Sequence, residues 1–402
     1  MELYVARQPI FDKGLNLFGY ELLYRSGLSN YYSNLDGDQA TSELILNSMM
    51  VIGFNKLTRG KRAFVNFSNN LLEQDFATIL PAESTVIEVL EDVEPNEKLV
   101  DACKRLKRKG YLIALDDFVY QKKYTPLIEL ADIIKIDFLN TSQEEKAQII
   151  KRLANYRIKF LAEKIETHED FKEAVKLGYT YFQGYFFSKP IILSGKNIPT
   201  HKLIYFHILQ EINKQDFSFE SIERLIKSDI SLSYKLLKMI NSSAIGLRTQ
   251  IQSIKQALTL LGVKGLQRWL LLVAIKGLGD EKPSELFSMA LTRAYFCEQM
   301  APKVGLKDRS SELYLIGMLS LIDAILDKPL DEILVELPIS EDVKKTLLGE
   351  SSILKDTYEL AVCYEQGMWH NLKQLAAKLN LKAKDIIDTY FNALDLSHTI
   401  TE

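Results

Sequence analysis

The chain has 402 residues, of which 47% are hydrophobic and 26% charged, and its formal net charge is −3. These values are typical of a globular protein with two or three domains and exclude a disordered, collagen-like or disulfide-stapled chain. The balance of 50 basic and 53 acidic residues creates no bulk field that would favour nucleic acid or an anionic membrane, so we expect neither as a partner.

The cysteines and the N-terminus indicate the compartment. Cys103, Cys297 and Cys363 form no paired motif, which predicts inert thiols in a reducing environment. The N-terminal residues show no cationic segment followed by an apolar one, so we predict no signal peptide. The longest apolar run, 269–275, is far shorter than the roughly 18 residues of a membrane span. We therefore predict a soluble, cytoplasmic protein.

Up to about residue 190, short apolar runs alternate with helical patterns. Helices are predicted over 97–110 and 168–178, and each ends at a glycine. Runs too apolar for a half-exposed sheet, alternating with helices, indicate a parallel α/β architecture, and their number favours a compact (β/α) barrel over an open sheet. The seven predicted strands are 17–24, 63–67, 85–90, 111–118, 131–137, 158–165 and 179–187.

Nearly every predicted strand carries a polar residue at or near its C-terminal end. In a (β/α) barrel these ends converge on one mouth, where the active site lies. Several carboxylates confined together require a cation, and oxygen ligands suit Mg²⁺ or Mn²⁺. Two such ions could activate a water and stabilise a phosphoryl transition state. The residues are Glu21, Asn66, Glu88, Asp116, Asp117, Lys135, Glu163 and Gln183.

Each of these residues alone has an ordinary explanation. A strand carboxylate is most often a rim residue or an ion-pair partner, and the Asp116–Asp117 pair could simply begin a turn. Lys135 could be a surface lysine or the Schiff-base lysine of an aldolase-like barrel. The recurrence of polar residues on successive strands is what favours a site.

Eight motifs resemble, in order, those of the EAL domain family, and the resemblance covers about residues 4 to 190. A match of several motifs is far more specific than any one of them. The name-giving Glu-Ala-Leu stands here as Glu21-Leu22-Leu23. The motifs are ARQPIF, GYELLYR, FVNFS, VIEVLED, ALDDF, IIKID, LAEKIE and FQGYFFSKP.

The resemblance implies a modified (β/α) barrel that hydrolyses cyclic di-GMP to linear pGpG with Mg²⁺ or Mn²⁺, often as a dimer. It also implies that Lys135 positions or helps to activate the attacking water and that Glu163 is a general base or water ligand. The metal ligands that it implies are Glu21, Asn66, Glu88, Asp116 and, at the second metal, Asp117.

The resemblance assigns four further residues to the substrate and the loops. Arg25 would reach a substrate phosphate, a role suited to its forked donors. Gln183 would complete the mouth, and Glu166 would lie near a guanine. Glu91 would brace the loop that follows the Asp pair.

That loop departs from the family pattern. The usual Gly-Thr-Gly segment is replaced by Val119–Lys123, which contains no glycine, and backbone conformations with positive φ are costly without it. A second hypothesis therefore stays open, in which a degenerate EAL domain is a non-catalytic cyclic di-GMP receptor or an interaction scaffold.

After about residue 200 the sequence predicts only helices, so we predict a (β/α) barrel domain over 1–200 and an all-helical domain over 201–402. Capping residues mark helix starts at Ser218, Asp229, Ser231 and Ser253. The predicted helices are 202–214, 218–227, 229–240, 251–260, 263–277, 284–300, 309–326 and further pieces to about 393.

The first part of this helical region resembles the HDOD domain, a module related to HD phosphohydrolases, and EAL followed by HDOD is a known bacterial arrangement. The resemblance rests on 240–243, 246–248 and 256–262. No His-Asp dipeptide is present, and Asp323 has no adjacent histidine. We therefore expect a non-catalytic output or scaffold domain with a protein partner.

Overall fold

The computed structural model describes residues 3–26, 57–91, 93–189, 202–214, 218–241, 251 and 253–401. The chain divides into two compact units, which we call the barrel unit (residues 1–189, 288–318 and 351–402) and the helical unit (190–287 and 319–350). The helices after residue 200 are thus shared between the two units. The domain limits 1–200 and 201–402 stay a prediction.

Eight strands form a closed barrel in chain order, as the sequence predicts for the fold class. Strands β2 to β8 are mutually parallel, with registers such as Asn66 beside Glu88 and Asp137 beside Glu163. The strands are β1 Leu3–Asp12, β2 Leu17–Ser26, β3 Arg62–Phe67, β4 Thr85–Val89, β5 Leu112–Leu115, β6 Ile133–Asp137, β7 Lys159–Glu163 and β8 Tyr181–Gln183.

Strand β1 is the element that the strand pattern missed, and it runs antiparallel to both β2 and β8. The expectation of a wholly parallel sheet is therefore wrong at this point. A tight turn joins β1 to β2, in which the Asp12 carboxylate accepts hydrogen bonds from the amides of Gly14 and Asn16. Leu15 takes a φ of 59° in this turn. The hydrogen bonds of this turn thus form a β1–β2 hairpin in a region where the sequence pattern predicts only the second strand.

The two helices predicted around the barrel, 97–110 and 168–178, are present within two residues of their predicted limits, and the three others were not predicted. Helix α2 starts at the Asn96 cap, and α5 starts at Thr167 and ends at Gly178, whose φ is 98°. A capping box on Ser142 and Glu145 starts α4. The helices are α1 Asn69–Glu73, α2 Glu97–Arg108, α3 Thr125–Ile128, α4 Gln143–Leu153 and α5 His168–Leu177.

The barrel interior below the mouth is apolar. Its side chains come from successive strands and are almost wholly buried, which makes the barrel a packed core rather than a pore. Burial on this scale stabilises the fold by roughly 1.5–3 kcal/mol per large side chain. The cluster is Ile10, Phe64, Val86, Ala114, Ile133, Leu161 and Tyr181.

The helices after residue 200 follow the predicted pattern with two corrections. The predicted single helix 309–326 is two helices, α11 and α12, and Ser231 lies inside α8 rather than capping it. The helices are α6 Leu203–Ile212, α7 Phe219–Lys227, α8 Ile230–Ile240, α9 Ile254–Leu278, α10 Ser284–Met300, α11 Ser310–Leu319, α12 Ile322–Leu326, α13 Leu330–Glu336, α14 Glu341–Leu347, α15 Ile353–Glu365, α16 Trp369–Lys378 and α17 Ala383–Thr401.

Helix α9 is the one element in the described part of the chain that is long and apolar enough to cross a membrane. Length and composition are weak grounds, since core helices of soluble proteins meet the same criteria. The helix is interrupted at Gly262, whose φ of 64° and ψ of 176° are non-helical. Neither part then reaches the roughly 20 residues of a span.

Candidate active site at the barrel mouth

The structure brings the predicted polar side chains together at the mouth. Lys135, in β6, lies at the centre of four carboxylates and is fully buried. Because these residues sit at the same ends of successive parallel strands, closure of the barrel aims them at a common point. The Lys135 Nζ distances are 2.7 Å to Glu88 Oε1, 2.8 Å to Asp116 Oδ1, 3.0 Å to Glu163 Oε1 and 3.5 Å to Glu21 Oε1.

Burial and like charge shift the pKa values in this cluster. Burial raises the pKa of Glu88 well above its ordinary value, and Lys135 only partly opposes this shift. Burial also raises the pKa of Glu163 to about 8, with Lys135 acting in the opposite direction. For Lys135 burial alone would lower the pKa, but the surrounding carboxylates raise it well above its usual range. Lys135 is therefore an ammonium, whereas Glu88 and Glu163 favour the protonated form unless a further cation stabilises their negative charge.

Two amide side chains hold Glu21. Asn66 Nδ2 donates to Glu21 Oε1 at 3.3 Å, and Gln183 Nε2 donates to Glu21 Oε2 at 2.6 Å. Each carboxylate oxygen thus has its own donor, which restrains rotation of the group. Gln183 is here a residue that orients Glu21.

The donor set fits a divalent cation. Glu21, Glu88 and Asp116 each offer an oxygen, and these three oxygens lie within 4.8 Å of one another. Asn66 Oδ1 and Glu163 Oε2 are buried at the same place without a hydrogen-bond partner. Buried oxygens normally have a partner, and these hard oxygen ligands suit Mg²⁺, Mn²⁺ or Ca²⁺.

Asp117 stands slightly apart from the cluster. It takes a φ of 36°, which is uncommon for a residue with a side chain, and its Oδ1 lies 3.7 Å from Lys164 Nζ. Lys164 also has a positive φ and pairs with Asp137 at 2.5 Å. Asp117 is thus paired with a lysine across the mouth rather than with Lys135.

Of the remaining predicted residues, Glu166 lies at the mouth and Glu91 lies beside the loop that follows the Asp pair. Glu166 lines the mouth cavity of about 390 Å³ and pairs with Lys189 at 3.6 Å. Glu91 accepts a hydrogen bond from the Tyr124 hydroxyl through its backbone carbonyl, at 3.3 Å, and so contacts the loop that follows the Asp pair. The side chain of Arg25 lies outside the described residues, although its backbone belongs to β2.

The loop without glycine is held by other contacts. None of Val119–Lys123 takes a positive φ; the unusual backbone falls on Asp117 instead. Lys123 pairs with Glu94 at 2.8 Å, and Tyr124 donates to the Glu91 carbonyl. The predicted cost of positive φ in this loop therefore does not arise.

Gln8 is a mouth residue that sequence reasoning missed. It lies opposite Glu21 in the β1–β2 hairpin, and its Oε1 accepts a hydrogen bond from Gln183 at 2.9 Å. Because β1 is antiparallel to its neighbours, its C-terminal end does not lie at the mouth, and a rule based on C-terminal strand ends overlooks Gln8. A signal was present: Gln8 is a polar residue in an otherwise largely apolar run of the first motif.

Comparisons with known proteins match both parts of the chain. The EAL domain model matches residues 54–190 and the HDOD domain model matches 198–327. The uncharacterized protein YuxH of Bacillus subtilis is 39% identical over 410 residues, covering 100% of both chains. The cyclic di-GMP phosphodiesterase CdgJ of Vibrio cholerae is 35% identical over 386 residues, covering 95% of this chain and 89% of that protein.

Solved structures of EAL proteins resemble part of the chain. A Klebsiella pneumoniae BlrP1 complex with calcium and cyclic di-GMP is 21% identical, covers 47% of this chain and 56% of that chain, and has a TM-score of 0.39. An EAL domain protein from Listeria monocytogenes is 18% identical, covers 46% of this chain and 87% of that chain, and has a TM-score of 0.37.

Proposed function

The chain belongs to the family of proteins that join an EAL domain to a C-terminal HDOD domain, and from this premise we propose that it hydrolyses cyclic di-GMP to linear pGpG. The proposal rests on the mouth cluster, in which oxygens of Glu21, Glu88 and Asp116 lie within 4.8 Å of one another beside Lys135. The relative CdgJ bears the name of such an enzyme, which supports the same assignment.

Some of the mouth residues would bind the divalent cations, and others would orient the attacking water and accept its proton. Bound divalent ions would lower the pKa of a water and stabilise charge on the phosphoryl oxygens. Glu21, Asn66, Glu88, Asp116 and Asp117 would hold these ions.

The attack itself would depend on Lys135 and Glu163. Held among four carboxylates, Lys135 would donate a hydrogen bond that orients the attacking water. Glu163 would accept the water proton, because its carboxylate lies beside the Lys135 ammonium that orients the water, with Oε1 3.0 Å from Nζ. Arg25 and Glu166 would bind the phosphate and the guanine.

The decisive experiment measures product. Purified full-length protein is incubated with cyclic di-GMP and Mn²⁺ or Mg²⁺, and pGpG is followed by chromatography. We expect metal-dependent pGpG and a loss of several orders of magnitude in Glu21→Ala, because a ligand is removed. Glu129→Ala is the matched control, since this exposed carboxylate precedes β6 at the opposite end of the barrel. Absence of pGpG from the wild type with either metal would refute the proposal.

The second candidate is a receptor that binds cyclic di-GMP without cleaving it. It is favoured by the pairing of Asp117 Oδ1 with Lys164 Nζ at 3.7 Å, which would compete with a second metal. Calorimetry would then show nucleotide binding while the same sample forms no pGpG.

The Schiff-base hypothesis for Lys135 is disfavoured by its surroundings. A nucleophilic amine must be neutral, whereas the carboxylates raise the pKa of Lys135. Borohydride trapping should therefore leave Lys135 unmodified.

The remaining expectations stay proposals of the same kind. The metal would be Mg²⁺ or Mn²⁺, the compartment the cytoplasm, and the assembly a homodimer. The HDOD region would be a non-catalytic output or scaffold module with a protein partner, and we expect no nucleic acid or membrane partner.

A further inference from the structure

A tyrosine next to β8 reaches from the mouth to the C-terminal helices of the barrel unit. Tyr185 lines the mouth cavity, and its hydroxyl donates to the backbone carbonyl of Glu365, at the end of α15, at 3.4 Å. The preceding Gly184 has a φ of 145°, and a Cβ there would lie 2.0 Å from the Ile165 carbonyl oxygen. Only glycine fits, so the chain direction into Tyr185 is determined by this close approach.

Tyr185 shares the mouth cavity with Gln8 and with the proposed metal ligand Glu21, and it follows Gln183 by two residues along the chain. Gln8 Oε1 accepts from Gln183 Nε2 at 2.9 Å, and that nitrogen also donates to Glu21 Oε2 at 2.6 Å. Both protons of the Gln183 amide are thereby used. Gln183 is thus joined by hydrogen bonds to Gln8 and Glu21, and Tyr185, two residues on, is joined to the Glu365 carbonyl.

The Glu365 end of this connection is anchored. The Glu365 side chain pairs with Arg293 of α10, with Nε and Nη2 each 2.8 Å from Oε2, and both residues are less than a tenth exposed. Two residues on, a Cβ at Gly367 would meet Leu23 Cδ1 at 3.5 Å, and Leu23 lines the mouth. A buried ion pair with good geometry keeps the α15 end in place, because separating it would leave a buried charge.

We propose that Tyr185 is a positioning residue for the phosphodiesterase site and that α10 and α15 anchor it. This inference rests on the proposed function. The Glu365 carbonyl holds Tyr185, Tyr185 fixes the chain next to Gln183, and Gln183, which also donates to Gln8, restrains Glu21. The C-terminal helices therefore complete the site, and they are more than an attached output module.

The test compares metal affinity in full-length variants by Mn²⁺ calorimetry. Tyr185→Phe keeps the ring and removes the hydrogen bond to the Glu365 carbonyl. Loss of an outer partner typically weakens metal binding by roughly 10- to 100-fold, and we expect the lower end, about 10-fold, because Tyr185 acts through Gln183. Turnover should fall by a similar factor, with a smaller change in the KM for cyclic di-GMP.

Tyr111→Phe is the matched control. The Tyr111 hydroxyl also donates to a backbone carbonyl, that of Leu80 at 2.6 Å, and is likewise in the barrel unit. This variant loses an equivalent hydrogen bond away from the mouth. We expect wild-type Mn²⁺ affinity and turnover, so a general loss of stability is separated from a loss of positioning.

The helix side is tested with a paired variant, Arg293→Met with Glu365→Leu, because replacing both partners of a buried ion pair by apolar residues preserves folding better than removing one. We expect weaker Mn²⁺ binding in this variant. In the Tyr185→Phe background the same two changes should add little, since the connection is already broken.

Three outcomes overturn the inference. They are wild-type Mn²⁺ affinity in Tyr185→Phe, an equal loss in Tyr111→Phe, or additive losses in the combined variant. If the wild type binds Mn²⁺ but forms no pGpG, the proposed function fails and calorimetry still decides the positioning role. If the wild type binds no Mn²⁺, both fail together.

Discussion

The mouth of the barrel unit and a polar groove in the helical unit both contain several charged side chains. These side chains are largely buried at the mouth and solvated in the groove. At the mouth, four carboxylates surround one fully buried lysine, and buried oxygens remain without partners. The groove is lined by His207, Lys214 and Arg224 among others, and its charges are solvated: Lys214 is about half exposed and pairs with Glu211 at 2.6 Å.

This difference in burial indicates which of the two regions suits a metal-binding site. Exposed ion pairs contribute little energy and need no further partner, whereas buried like charges are costly unless a cation joins them. Within the described residues, Glu21, Glu88 and Asp116 at the mouth are grouped closely enough to hold a metal ion, and no such group lies in the helical unit. The proposed reaction is therefore assigned to the barrel unit.

The largest expected effect comes from removing the central charge. Lys135→Met leaves four buried carboxylates without their ammonium, and breaking a buried pair typically costs about 3–5 kcal/mol in the free energy of unfolding. Urea denaturation without metal measures this. Lys214→Met is the matched control in the groove, where we expect about 0.5 kcal/mol or less. Equal losses at the two positions would remove the contrast between the regions.

Metal binding should stabilise the barrel unit selectively. A ligand at about 100 times its Kd raises the free energy of unfolding by about 2.7 kcal/mol. We expect Mn²⁺ to slow amide hydrogen exchange in β4 and β6 much more than in α7 and α8, and EDTA to reverse it. Glu21→Ala should show no such protection. Uniform protection in both units would contradict a mouth site.

Removing the donor to Glu21 should have a smaller effect. Gln183→Ala leaves Glu21 Oε2 without its 2.6 Å hydrogen bond, and loss of such a partner typically costs about 10- to 100-fold in metal affinity or activity. Mn²⁺ calorimetry and the pGpG assay measure both. Gln210→Ala, in the groove of the helical unit, serves as the control and should change neither. An unaltered Mn²⁺ affinity in Gln183→Ala would argue against Glu21 as a ligand.

An effect on folding alone is expected in the helical unit. Gly262 adopts φ 64° and ψ 176° within α9, and Gly262→Ala should cost about 1–3 kcal/mol because L residues avoid that region. Gly265→Ala, at an ordinary helical position where a Cβ meets only Leu261 atoms at 3.6 Å or more, should stabilise the helix by about 0.5–1 kcal/mol. Denaturation midpoints measure both, and pGpG formation should stay at the wild-type level.

Sequence alone determined the features that depend on local pattern. The alternation of apolar runs and helical stretches predicted seven of the eight strands, and glycine and capping residues predicted the limits of helices such as Glu97–Arg108 and His168–Leu177. The polar residues at strand ends were identifiable because parallel strands in a closed barrel must present the same ends together.

Only the tertiary structure decided which distant residues meet. The antiparallel β1 brings Gln8 to the mouth, Lys135 finds four carboxylates from four other positions, and Tyr185 contacts Glu365, 180 residues further along the chain. No periodic pattern in the sequence predicts these contacts, because hairpin direction and helix packing, rather than neighbouring residues, determine which side chains meet. Local periodicity thus specifies the elements, and long-range packing specifies the site's support.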